Sequence, residues 1–120
     1  MIHTYPDKER PGSRFYIHAR NIAAAVLFLL KDGKIGEKYN VTGEQEVDNL
    51  QMAQMIAGFV GKELKYKMVD FHSDRPGHDL RYSLAGEKMK KMGWKLPINF
   101  EDSLRKMVEW TRDNKEWLED

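Results

Sequence analysis

Arg14-Phe15-Tyr16-Ile17-His18, then Arg20 through Leu30, then Lys38-Tyr39-Asn40-Val41-Thr42 form the stretch that decides the fold. Phe15-Tyr16-Ile17 is a short run of aromatic and β-branched residues, a strand signal. Ile22, Ala23, Val26, Leu27 and Leu30 recur at helical spacing, which predicts a helix from about Arg20 to Leu30 with that face buried. Lys31-Asp32-Gly33 ends it, with Gly33 near the C′ position. Tyr39 and Val41 then share one face of a second strand over Lys38 to Thr42. Strand, helix, strand favours parallel pairing.

The pattern continues outward. Asp48 reads as a helix N-cap with Gln51 as its capping-box partner, and Val47 with Met52 as a hydrophobic staple. That helix is expected to run to about Val60, burying Met52, Ile56, Phe59 and Val60, and to stop at Gly61. Leu64 to Val69 alternates like a half-buried strand. Asp70 to Arg81 is polar and irregular, with Pro76-Gly77 as a turn. A short helix fits Ala85 to Met92, closed by Gly93. Asn99 caps the last helix, whose inner stripe is Phe100, Leu104, Met107, Val108 and Thr111. The order β-α-β-α-β-α-α is an α/β arrangement: a small sheet of two or three short, mainly parallel strands with about four helices. Residues 1–13, with two prolines and no periodicity, read as a linker or disordered start, and 14–120 as the domain.

Composition narrows the function classes. At 120 residues the chain is one small domain or part of a larger one. Twenty Lys and Arg against 19 Asp and Glu leave a net charge of +1, without the basic excess of a generic nucleic-acid binder. The absence of cysteine excludes disulfides, thiolate metal sites and a cysteine nucleophile. The apolar run Ile22–Leu30 is far short of the roughly 20 residues that span a bilayer. A soluble, cytoplasmic protein with no membrane partner is the expectation.

The densest polar segment is Asp70 to Tyr82. It reads either as an anion site or as a solvated loop whose charges pair among themselves. In the first reading Arg75 offers a planar fork, Gly77 a close backbone approach and His78 a further donor. His72 and His78 with Asp70, Asp74 or Asp79 supply metal-ligand atoms, but at a spacing with no defined geometry, so no metal is assigned. Arg14 is either a phosphate contact or a surface arginine stacked on Tyr16. Asn49 either supports the helix cap or reaches a ligand, and His18 reads as a capping residue. Trp94, Trp110 and Trp117 read as packing residues, most methionines as core filler, and Lys88 to Lys91 as a solvated helix face. No Gly-x-Gly-x-x-Gly, P-loop, Gly-x-Ser-x-Gly or Tyr-x-x-x-Lys is present.

Asp74-Arg75-Pro76-Gly77-His78-Asp79-Leu80-Arg81-Tyr82 resembles a signature of the dTDP-glucose 4,6-dehydratases. Gly93-Trp94, Pro97, Phe100-Glu101, Leu104-Arg105-Lys106 and Val108-Glu109-Trp110 resemble that family's C-terminal end. Gly36-Glu37, Tyr39-Asn40-Val41 and Gly43, and Arg14 with Ala23-Ala24-Ala25, resemble two further segments of it. The likeness covers nearly all of residues 12–118 and is specific for extended short-chain dehydrogenases that act on nucleotide sugars.

The resemblance implies the C-terminal, substrate-binding part of an NAD-dependent epimerase/dehydratase, without the Rossmann domain that carries the NAD loop and the acid–base residues. Arg14 and Arg75 would then hold the diphosphate, and Asn49 and His78 would contact the nucleotide end. No catalytic, cofactor-binding or metal residue is assigned to this chain, and by itself it is expected to be inactive. NAD belongs to the missing half. The implied ligand is a nucleotide-diphosphate sugar, dTDP-glucose or a UDP-sugar. The substrate domain of a UDP-sugar epimerase or decarboxylase, and a stand-alone binding module, are the alternatives. The family usually has an acidic residue where Asn21 stands. Without the Rossmann half, apolar surface near Phe15, Tyr16 and Ile17 would be uncovered, which implies self-association.

Overall fold

Val47, Phe100 and Leu104 make the centre of the core, with Tyr16, Met52, Met55, Ile56 and Phe59 packed around them. They come from three parts of the chain, and the elements that carry them set the architecture. The computed structural model describes residues 1–74, 76, 77 and 79–118.

Its strands are β1 (Ile2–Thr4), β2 (Ser13–Arg14), β3 (Val47–Asp48), β4 (Met68–Asp70) and β5 (Arg81–Tyr82). Its helices are α1 (Ala19–Asp32), α2 (Asn49–Val60), α3 (Phe71–Asp74), α4 (Glu87–Lys91) and α5 (Phe100–Asp113), followed by a 3-10 turn at Lys115–Leu118. Among the described residues the protein is α/β with two small sheets: β1 pairs with β4, and β2 lies between β3 and β5. The β1–β4 and β2–β5 pairs are parallel, and β2–β3 is antiparallel.

Local sequence chemistry forms the helices. The Asp48 carboxylate accepts from the Gln51 amide at 2.7 Å, and Gly61 closes α2 in the left-handed region at φ 71°. The Asn99 side chain accepts from the Asp102 amide at 2.8 Å and starts α5. His18 caps α1 by accepting from the Arg20 amide at 3.0 Å. The inner faces of α2 and α5 then pack together. A fully buried large apolar side chain contributes about 1.5–3 kcal/mol, so each buried member of this cluster is a substantial source of stability.

Several expectations from sequence are corrected. Residues 1–13 begin with a strand, not a linker. Ile2 and Thr4 turn inward and are buried, and Thr4 Oγ1 donates to the Val69 carbonyl at 3.1 Å. The partner strand lies 66 residues on, out of reach of local pattern reading.

The strand expected over Arg14–His18 shrinks to Ser13–Arg14, and Lys38–Thr42 forms no strand. The latter segment has no strand beside it among the described residues. Side chains tie it instead to the region of α4: Lys88 pairs with Glu37 at 2.7 Å and donates to the Lys38 carbonyl, while Asn40 donates to the Ala85 carbonyl. Lys88 is therefore a tether and not simply part of a solvated face.

Helix α1 forms where expected but turns the other way. Asn21 and Ala25 are its buried residues, while Val26, Leu27 and Leu30 are 51%, 69% and 79% exposed. The cause is polar. Asn21 is 2% exposed, its Nδ2 donates to the Ile98 carbonyl at 2.8 Å, and its Oδ1 accepts from the Ile98 amide at 3.3 Å. An amide can both donate and accept, so this pair satisfies a buried backbone unit that would otherwise be costly. It turns the Asn21 side of α1 inward and leaves Ile22, Val26, Leu27 and Leu30 facing out. Phe15, Tyr16 and Ile17, expected to be uncovered, are half-buried.

The aromatic and methionine readings divide. Trp94 packs on Phe28, with ring centroids 5.4 Å apart, and Met89 is buried. Met107, Trp110 and Trp117 are exposed, and the two tryptophans pack chiefly on each other at 6.0 Å.

Candidate functional site

Gly12 lies where two of the sequence-predicted site residues meet. Its carbonyl accepts from the Asn49 amide at 2.8 Å, and its amide donates to the His3 carbonyl at 3.1 Å. A Cβ on Gly12 would sit 2.7 Å from the Leu80 carbonyl oxygen and 3.3 Å from Asn49 Nδ2. That leaves no room for a side chain and fixes how closely β2 approaches both α2 and the segment before β5.

Arg14 reaches the same segment from β2. Its Nη1 donates to the carbonyls of Ser13 at 3.0 Å and Leu80 at 3.3 Å, and its Nη2 to that of Asp79 at 3.3 Å. The guanidinium lies over the Tyr82 ring, 5.0 Å from its centroid, and not over Tyr16 as one reading of the sequence had it. These bonds hold Arg14 at the C-terminal end of the polar segment. Its charge is unopposed by any carboxylate ion pair among the described residues, since its partners are carbonyls and a ring.

Asn49 opens α2. Its Oδ1 accepts from the Tyr16 hydroxyl at 2.6 Å. Burial raises the Tyr16 pKa, with the nearby Arg14 charge opposing, so the phenol keeps its proton at neutral pH. Arg14 and Asn49 are thus brought to the two flanks of Gly12. Arg75 and His78 lie outside the described residues, and Gly77 between them has φ 84°, a conformation suited to glycine.

Sequence reading missed Tyr16, Gly12 and the clamp formed by Glu46. Ser13 Oγ donates to Glu46 at 2.6 Å, and Arg81 donates to both of its oxygens, at 2.6 and 2.8 Å. These bonds, Arg81 first, lower the Glu46 pKa to about 2. The one available signal was Tyr16 itself: a tyrosine in an otherwise apolar run needs a hydrogen-bond partner when it is buried.

Two strands run directly into helices among the described residues, β3 into α2 and β4 into α3. A carboxylate caps each junction, Asp48 and Asp70 respectively. Neither junction carries a glycine-rich loop. No group of three or more His, Cys, Asp and Glu among the described residues could hold a metal ion. No helix of the described residues is long and apolar enough to cross a membrane.

No protein-family model matches the chain. It is 35% identical over 112 residues to dTDP-glucose 4,6-dehydratase 1 of Escherichia coli, covering 88% of this chain and 31% of the relative. It is 36% identical over 107 residues to the trifunctional UDP-glucose 4,6-dehydratase/UDP-4-keto-6-deoxy-D-glucose 3,5-epimerase/UDP-4-keto-L-rhamnose-reductase of Arabidopsis thaliana, covering 89% of this chain and 16% of the relative. Among solved structures, the dTDP-glucose 4,6-dehydratase of Bacillus anthracis in complex with NAD superposes with a TM-score of 0.77 at 32% identity, over 96% of this chain and 35% of that one. DesIV of Streptomyces venezuelae, a dTDP-glucose 4,6-dehydratase with NAD and TYD bound, gives a TM-score of 0.78 at 30% identity, over 96% and 35%. The chain spans about a third of the length of the curated dTDP-glucose 4,6-dehydratases it matches.

Proposed function

We propose, for a chain homologous to the C-terminal region of the dTDP-glucose 4,6-dehydratases, that it binds the nucleotide-diphosphate sugar for an enzyme whose NAD-dependent chemistry resides elsewhere. The observation that carries this is the pairing of Arg14 and Asn49 across Gly12, at the end of the segment that bears Arg75 and His78. Arg14 and Arg75 would match the two phosphate charges, each as a charge-assisted contact. Asn49 and His78 would face the nucleotide end. The Asn49 and Gln51 amides at the start of α2 are already engaged by the Gly12 carbonyl and the Asp48 carboxylate, so side chains supply most of the positive field.

In this reading the chain binds and orients, and hydride transfer and loss of water need the other two thirds of the architecture. The outward stripe Ile22, Val26, Leu27 and Leu30 is the surface that such a half would cover. Sequence reading placed that surface at Phe15–Ile17. Alone, the chain is inactive, cytoplasmic and prone to associate with itself through the same stripe. The Arabidopsis relative is named for UDP-sugars, so UDP stands beside dTDP as the nucleotide.

Titration of the 120-residue chain with dTDP and with UDP, followed by amide NMR, tests the reading. The Asn49 and Gly77 amides are expected to shift, and Arg14→Ala and Arg75→Ala to weaken binding by about 1.5–3 kcal/mol each. Unmoved Asn49 and Gly77 amides with both nucleotides would overturn it.

A further inference from the structure

We infer that Tyr16 is a positioning residue which fixes the Asn49 side chain so that it offers only N–H donors to a ligand acceptor oxygen. The inference rests on the proposed nucleotide site and adds to it the chemistry Asn49 must recognise.

An asparagine amide in a binding site has two faces, an acceptor oxygen and a donor nitrogen, and without restraint it can present either. Here the choice is made. The Tyr16 O–H donates to Asn49 Oδ1 at 2.6 Å, a short and well-formed bond. The phenol cannot swing away freely, because Tyr16 belongs to the core cluster and its ring lies 6.5 Å from that of Phe100. The Asn49 main chain is held as well, by the 2.8 Å bond from its amide to the Gly12 carbonyl. Backbone and side-chain oxygen are both committed. Nδ2 has no hydrogen-bond partner among the described residues and lies beside Gly12. What the site presents at Asn49 is therefore a pair of donors. That arrangement selects an acceptor oxygen, on a phosphate or on a pyrimidine carbonyl, and rejects a ligand donor.

Tyr16→Phe keeps the ring in the core and removes only the restraint. Three readouts on the full 120-residue chain test the inference. In ligand-free NMR spectra, the two Asn49 Nδ2 proton resonances are expected to move in Tyr16→Phe while the core resonances of Val47 and Leu104 stay in place. In titrations with dTDP, Tyr16→Phe is expected to bind about fivefold more weakly, the effect of one neutral hydrogen bond. The double variant Tyr16→Phe/Asn49→Ala is expected to bind no more weakly than Asn49→Ala alone, because the two residues act as one unit. Asn49→Asp, which keeps the Tyr16 contact but has no donor, is expected to lose binding. Inorganic pyrophosphate separates the acceptors: a Tyr16→Phe loss with both probes marks a phosphate oxygen, and a loss with dTDP alone marks a base carbonyl. Either result supports the inference. If wild type binds dTDP and Tyr16→Phe binds equally well, or if the losses add in the double variant, Tyr16 does not act through Asn49 and only this inference fails. If wild type shows no dTDP shift at Asn49, the nucleotide reading fails and this inference with it.

Discussion

Glu46 and Arg81 lie 35 residues apart in sequence and meet in a two-pronged ion pair, at 2.6 and 2.8 Å, with the Ser13 hydroxyl on the same carboxylate. Ser13 is in β2 and Arg81 in β5, and Glu46 immediately precedes β3, so one carboxylate links all three segments of the site's sheet. It also fixes the C-terminal end of the polar segment that Arg14 holds through carbonyls.

The Glu46 link makes stability depend on acid. Its pKa drops from 4.5 to about 2 in the folded chain, so its contribution is full above about pH 4.5 and is lost as the pH falls toward 2. Thermal melts across that window are expected to show a falling midpoint in wild type. Glu46→Gln is expected to melt lower at neutral pH and to lose less between pH 4.5 and 2. Parallel pH profiles for the two proteins would refute the link.

Gly12→Ala is expected to destabilise the chain by about 1–3 kcal/mol, as overpacking against backbone does. The new methyl would press on the Leu80 carbonyl, which also accepts from the Ser13 amide at 2.9 Å. Hydrogen exchange at Ser13 should therefore accelerate more than exchange in the middle of α5. Unchanged Ser13 protection would show that β2 and the Leu80 segment do not approach as closely as described.

Asn21→Asp separates the two roles of the buried amide. The carboxylate keeps an acceptor for the Ile98 amide and, when ionised, loses the donor to the Ile98 carbonyl. An unmatched buried polar group costs about 1–3 kcal/mol, more when charged. The buried carboxyl should titrate above its unfolded value, so the variant is expected to regain stability as the pH is lowered through that folded-state pKa. Urea unfolding at pH 5 and pH 7.5 checks this. Equal losses at both would mean that the Asn21 donor contributes nothing.

Leu27→Glu and Leu30→Glu change residues that are largely exposed in this chain. Each is expected to alter the stability of the isolated chain by less than about 0.5 kcal/mol, as exposed substitutions do. Sedimentation should show less self-association than wild type, and co-expression with the N-terminal two thirds of a related dehydratase should give less complex. A large loss of stability in the isolated chain would show that the stripe packs inward after all.

The helices were legible in the sequence because their signals are local. Asp48, Asn99 and His18 each cap a helix within three residues of themselves, and Gly61 ends one by its own backbone freedom. The string around Arg75 to Tyr82 was read for a different reason, as a run of residue types that resembles a family signature. What only the tertiary structure decided is where polar groups found distant partners. Asn21 reached Ile98 across 77 residues and reversed the face of α1, against an apolar periodicity that pointed the other way. Lys38–Thr42 has a strand's pattern and no strand, because a β-ladder is a property of two segments and its pattern specifies only one. Ile2–Thr4 is a strand for the converse reason, since Met68–Asp70 lies beside it. Tyr16 and Asn49, 33 residues apart, became a unit only when β2 and β3 paired and set the phenol against the first turn of α2. Residue spacing fixes what a segment can do alone, whereas a buried hydrogen bond is decided by whichever partner the folded chain brings within about 3 Å.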